Sequence, residues 1–195
     1  SSRVGDRAAA IKLMEQGAKS AVDPAYATNI SHAYTCFVSA CYADPTYGQA
    51  FYALGCHNHD LKLWHSAVAC NRRAIENGGM TRQEEAKAWH NLGWCLHHIG
   101  QLDEALTATL KAVELDASFA WGWVNLSAIH RLLDNNAEAL RCAKNAYAIA
   151  PDDPTVGMSL AFALLFSRKL AEGFRAFECR YKYALHNFLS YPYPK

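Results

Sequence analysis

Two short stretches bring together side chains that could do chemistry. Cys56, His57 and His59 fall close together, and Cys95, His97 and His98 follow a similar rhythm further on, in a chain of 195 residues with nine histidines and seven cysteines. Thiols beside imidazoles suggest either a metal site or a thiolate with its base. The spacing supports neither. Helical metal pairs use His-x-x-x-His and structural zinc uses Cys-x-x-Cys knuckles, and both are missing at these stretches. Neighbours on a helix point about 100 degrees apart, so Cys56 and His57 do not converge on one reacting atom. There is no Gly-x-Gly-x-x-Gly, Walker loop, nucleophile elbow or His-Glu-x-x-His. The carboxylate pairs Asp103-Glu104 and Asp152-Asp153 sit at expected helix starts, where acids complement the dipole. The chain is therefore expected to hold no catalytic residue, no metal and no cofactor, and the histidines read as ligand-facing or partly buried.

The elements that carry these residues repeat with a period of 34. Aligned from Ala86, Ala120 and Pro154, three segments place Trp89, Trp123 and Gly157 at position 4, and Leu92, Leu126 and Leu160 at position 7. Position 8 is small (Gly93, Ser127, Ala161), as is position 20 (Ala105, Ala139, Gly173), while Ala112 and Ala146 stand at position 27 and Pro151 at position 32. A small residue at position 8 lets one helix approach the next, whose small residues lie two turns apart on one face. Each pair is apolar on two sides and must stack on a neighbour. The pattern resembles the tetratricopeptide repeat (TPR): an aromatic, Leu-Gly, a later small residue and a closing Pro.

The register extends upstream. Gly48, Phe51, Leu54, Gly55, Ala67 and Ala74 match after a four-residue insertion, and Ala33, Phe37, Ala40 and Pro45 match a still earlier second helix. Gly78-Gly79 stop one helix, Thr81 with Glu84 forms a capping box, Asp153 caps before Pro154, and Ser118 is expected to cap the helix of Trp121 and Trp123. The expectation is an all-α, right-handed superhelical solenoid of about five antiparallel helix pairs, one domain over 1–195: a degenerate repeat 1–47, repeats 48–85, 86–119, 120–153 and 154–187, and an extension 188–195.

Composition sets outer limits. With 19 basic and 18 acidic residues the net charge is +1, which gives no basic face for nucleic acid. No apolar run approaches the ~18 residues that span a bilayer, and no signal-peptide pattern opens the chain. The odd cysteine count reads as buried reduced thiols in a cytoplasmic protein.

The resemblance implies a ligand wall on the first helix of each repeat, at positions near 2, 5, 6, 9, 12 and 13. Those positions hold Gln49, Tyr52, Cys56 and His59; then Lys87, His90, Asn91, Trp94, His97 and His98; then Trp121, Val124, Asn125 and Arg131. The Lys/Asn/Arg carboxylate clamp of chaperone-binding TPRs is absent, since position 5 is Tyr52, His90 and Val124. Asn91 and Asn125 share position 6 and resemble the asparagine ladder of the O-GlcNAc transferase TPR superhelix. They serve either an extended peptide's backbone or hydrogen bonds within the solenoid. Gly173 to Tyr181 is similar to the segment that closes TPR arrays before glycosyltransferase-like modules. The expected function is a protein- or peptide-binding module without catalysis; the alternative is the acceptor-recognition region of a larger glycosyltransferase. Self-association through the solenoid ends is a third reading; Phe177, Tyr181, Phe188, Tyr191 and Tyr193 are expected to form a docking element that packs back over the last helix pair or against a following domain or second subunit.

Overall fold

A computed structural model describes residues 5–22 and 30–179. Those residues form ten α-helices, a short 3₁₀ turn and no strand, as the apolar periodicity requires. The helices are α1 (Arg7–Val22), α2 (Ile30–Ala43), α3 (Gly48–Asp60), α4 (Trp64–Asn77), α5 (Arg82–His98), α6 (Leu102–Leu115), α7 (Ala120–Leu132), α8 (Asn136–Ile149), α9 (Pro154–Phe166) and α10 (Leu170–Ala176), with the 3₁₀ turn at Phe177–Cys179. Among the described residues no helix is long and apolar enough to cross a membrane. The C-terminal aromatics from Tyr181 onward and the boundary expected at 188 lie outside the described residues.

Helix starts follow local chemistry. Thr81 Oγ1 accepts from the Glu84 amide at 3.3 Å while Glu84 accepts from the Thr81 amide at 2.8 Å, completing the capping box. Asp153 accepts from the amides of Thr155 and Val156 at 2.8 and 3.3 Å, with Pro154 opening α9. Ser118 departs from expectation. Its hydroxyl and amide both donate to Asp116 at 2.6 and 3.0 Å, so the turn consumes it and Phe119 takes the cap position with no side-chain acceptor.

The turns inside the repeats share one geometry. At repeat position 15, Lys62, Gly100, Asp134 and Arg168 hold φ of 58, 81, 56 and 58°. The next amide returns to a carbonyl five residues back in every case: Leu63 to Asn58 at 2.8 Å, Gln101 to Leu96 at 2.9 Å, Asn135 to His130 at 2.7 Å and Lys169 to Leu164 at 2.9 Å. That is the Schellman closure, which satisfies carbonyls left open at a helix end. Three of the four residues carry a side chain in a conformation that costs about 1–2 kcal/mol.

The chain divides into two compact units, Ser1–Gln101 and Leu102–Lys195, with the division between α5 and α6. In the first, α1 packs on α2, α2 on α3, α3 on α4 and α4 on α5. Ala10, Ala33, Phe37, Ala40, Cys41, Ala50 and Leu54 fill this core. Small residues set the approach: a Cβ on Gly55 would stand 2.9 Å from the Asn71 amide of α4. In the second unit α6 packs on α7, α7 on α8 and α9, and α9 on α10. Leu126, Ile129 and Val156 are fully buried there, each contributing about 1.5–3 kcal/mol. Cys36, Cys41, Cys56, Cys70, Cys95 and Cys142 are free thiols. Burial pushes Cys41 and Cys95 up to about 12 and Cys142 up to about 11, which leaves them inert packing groups.

Candidate ligand-binding walls

In the first unit, α3 presents Gln49, Tyr52, Cys56 and His59 along one side, and α5 presents Lys87, His90, Asn91, Trp94, His97 and His98. Lys87 and His98 are exposed and the other eight are half-buried. Three sets of contacts knit the helices together. At the capping-box end the Gln49 amide bonds the Glu84 carboxylate. In the middle the Tyr52 hydroxyl and Asn91 Nδ2, the latter at 3.4 Å, both donate to Cys56 Sγ. At the far end rings take over. Trp64, which opens α4, stacks on His98 at 4.3 Å and 7°, and His59 meets Trp64 edge-on at 5.8 Å. Trp94 meets His98 at 5.0 Å and His97 at 5.8 Å, and His97 stacks on His98 at 5.2 Å.

Burial disfavours charge on two imidazoles of this wall. Burial, and then the neighbouring His59, push His90 down to about 4. Burial, His59 and Lys62 lower His98 as well. Burial also raises Cys56, outweighing the hydrogen bonds from Tyr52 and Asn91, so its thiol stays protonated and is no nucleophile. No group of three or more His, Cys, Asp or Glu side chains among the described residues could hold a metal ion. Imidazoles, indoles and an amide form a surface suited to apolar and hydrogen-bonding contact with a peptide.

The second unit corrects part of the expected site. Trp121 is 40% exposed on α7, but Val124 and Asn125 are buried at 8% and 0%. Asn125 Nδ2 donates to Thr109 Oγ1 at 3.0 Å, and Thr109 in turn donates to the Ala105 carbonyl at 2.8 Å. The amide therefore ties α7 to α6 from a buried position. With Asn91 engaged by Cys56, the asparagine pair works within the fold. Arg131 is half-buried and lies over the rings of Phe162 and Phe166 on α9, at 5.5 and 5.1 Å.

Trp64, Phe162 and Phe166 join the walls without having been anticipated. A signal for the phenylalanines existed: they stand at positions 9 and 13 of the 154 repeat, where Trp94 and His98 stand in the 86 repeat. Trp64 gave none, because it belongs to a second helix and reaches the wall only by opening α4.

The central repeat matches the sequence model of the tetratricopeptide repeat over residues 86–119. No curated protein matches the chain as a sequence. Solved structures match its fold. A crystal structure of MamA superposes with a TM-score of 0.73 at 16% identity, covering 96% of this chain and 97% of that one. YrrB, described as a TPR protein with an unusual peptide-binding site, gives 0.68 at 15% identity, over 87% of this chain and 84% of that one. PilF of Pseudomonas aeruginosa gives 0.71 at 18% identity, over 88% and 75%. The fold is thus that of TPR proteins.

Proposed function

We propose that this chain is a protein-interaction module that takes an extended peptide segment along the α3–α5 wall of its first unit. The observation behind this reading is the ring cluster of His59, Trp64, Trp94, His97 and His98, partly exposed beside the Cys56–Asn91 contact. A wall of this kind binds by covering apolar ring surface and by hydrogen bonds along its rim. The peptide-binding TPR protein YrrB shares the fold and lends support at that level.

The alternative, an acceptor-recognition region of a larger glycosyltransferase, has lost one of its two supports, since Asn125 is buried. The other, Gly173 to Tyr181, is described only to Cys179.

The test is a selection from a displayed random-peptide library on the purified chain. Peptides recovered on the parent should lose at least about tenfold in affinity on the Lys87→Glu, His98→Glu variant, whose changes are exposed and leave the core alone. They should keep full affinity for Lys111→Glu, Lys144→Glu. Equal binding by all three proteins would remove the α3–α5 wall from the proposal.

A further inference from the structure

Three arginines lie over aromatic rings: Arg7 over Tyr47 at 4.4 Å, Arg73 over Phe51 at 5.9 Å, and Arg131 over Phe162 and Phe166 at 5.5 and 5.1 Å. Two of them also have a carboxylate. Arg7 pairs with Asp44, and Arg73 with Glu76 at 3.8 Å. Arg131 has none among the described residues. The acids near it in sequence are committed elsewhere, Glu138 to Arg141 at 2.6 Å and Asp134 to the Asn136 amide at 3.0 Å. Burial alone lowers the Arg131 pKa, with no acidic neighbour opposing it.

The setting is built. Phe162 and Phe166 stand four residues apart, so helical geometry puts both rings on one side of α9. Phe177 braces Phe162 edge-on at 5.6 Å. Around the cation the surface is apolar, with Leu132 and Phe166 each 54% exposed. A half-desolvated guanidinium over ring faces keeps its edge N–H donors available for a planar anion, and in an apolar surround that contact is worth more than in water. Burial keeps His130 beside it toward its neutral form, so the platform itself presents the single guanidinium of Arg131. One charge matches a monoanionic carboxylate; a phosphate dianion would call for a second cation.

We propose that Arg131, on its Phe162–Phe166 platform, anchors a carboxylate of a bound peptide, with Leu132 and Phe166 taking an adjacent apolar side chain. This rests on the reading of the chain as a peptide-binding module, and it names an acidic, apolar peptide as the partner of the second unit.

The experiment uses the full chain and three short peptides: acetyl-Leu-Glu-Phe-Leu-amide, its Gln counterpart, and the Gln counterpart with a free C-terminal acid. Titration at low ionic strength is followed by two-dimensional NMR of α7 and α9 amides and of the Arg131 Nε–H. At least one carboxylate-bearing peptide should bind about tenfold tighter than the Gln amide. Which one does tells a side-chain carboxylate from a terminal one. The preference should vanish in Arg131→Gln and persist weakly in Arg131→Lys, which keeps the charge and loses the planar fork. Should Arg131→Gln unfold, Arg131→Lys decides alone. Equal binding of all three peptides, no binding by any, or a preference that survives in Arg131→Gln or stays undiminished in Arg131→Lys overturns the anchor. Peptides selected on the α3–α5 wall are read in a separate assay, so either idea can fail without the other.

Discussion

The α3–α5 wall and the α7–α9 wall use the same repeat positions and fill them with different chemistry. In α5, positions 9 and 13 are Trp94 and His98, whereas in α9 they are Phe162 and Phe166. Position 12 is His59 and His97 in the first unit and Arg131 at the start of the second wall. The period dictates where a side chain stands, and the residue type decides what it does there. A wall of shifted imidazoles responds to protons, while a guanidinium on phenyl rings holds its charge across the accessible pH range.

The units also differ in how closely a first helix starts against its neighbours, and here the largest effect is expected. A Cβ on Gly48 would stand 2.2 Å from the Gly78 carbonyl oxygen and 2.8 Å from that of Ala74, both backbone atoms that cannot turn aside. The corresponding residues of the second unit are Ala120 and Pro154. Gly48→Ala should cost about 3 kcal/mol in urea unfolding and disturb the α3–α5 wall, whereas the reverse exchange, Ala120→Gly, should cost about 1 kcal/mol or less. Equal losses would erase this contrast.

Acid comes next. His90 holds a folded pKa of about 4 against an ordinary 6.5, so below pH 6.5 the unfolded chain binds more protons and stability falls, the loss ending near pH 4. It amounts to roughly 2–3 kcal/mol and should largely disappear in His90→Gln. His130 in the second unit shifts the same way by burial, with Glu138 opposing and Arg141 reinforcing the shift. Asp44, held below its usual range by Thr46 and Arg7, contributes its own loss only at still lower pH. A pH profile unchanged by His90→Gln would contradict the protonation account of the first wall.

Smaller effects sharpen the comparison at the turns. Gly100→Ala should lose about 1–2 kcal/mol. Asp134→Gly and Arg168→Gly should each gain about 0.5–1 kcal/mol, because the φ of 56 and 58° they hold suits glycine. Thermal melts read both. On the solvated face, Lys111→Ala, which gives up only an exposed pair with Glu114, should change stability by less than about 0.5 kcal/mol.

Helix boundaries were readable in advance because they depend on residues with one strong local preference: Thr81 with Glu84, Asp153 with Pro154, and Gly78 at the end of α4. What stayed hidden depends on which partner each residue meets, near or far in sequence. Whether an amide at position 6 meets a ligand or its own fold turns on what faces it, and Thr109 faces Asn125. Ser118 lost its cap to a competing acceptor two residues earlier. Lys62, Asp134 and Arg168 sit where glycine is the usual occupant, and only closure of the Schellman bonds reveals them. Trp64 reaches the wall through packing of α4 against α5, which no single-helix pattern encodes.

The five tryptophans provide the most direct test of the α3–α5 wall as the ligand surface. Trp64 and Trp94 stand in its ring cluster, whereas Trp89 donates to Glu85 and Trp123 to the Ala117 carbonyl. The chain is labelled with 5-fluorotryptophan, its signals are assigned by single Trp→Phe variants, and it is titrated with a peptide from the display selection. The fluorine signals of Trp64 and Trp94 should move together and saturate at the same peptide concentration, with those of Trp89 and Trp123 unchanged. Saturating shifts at Trp89 and Trp123 with Trp64 and Trp94 still would contradict the assignment of this wall.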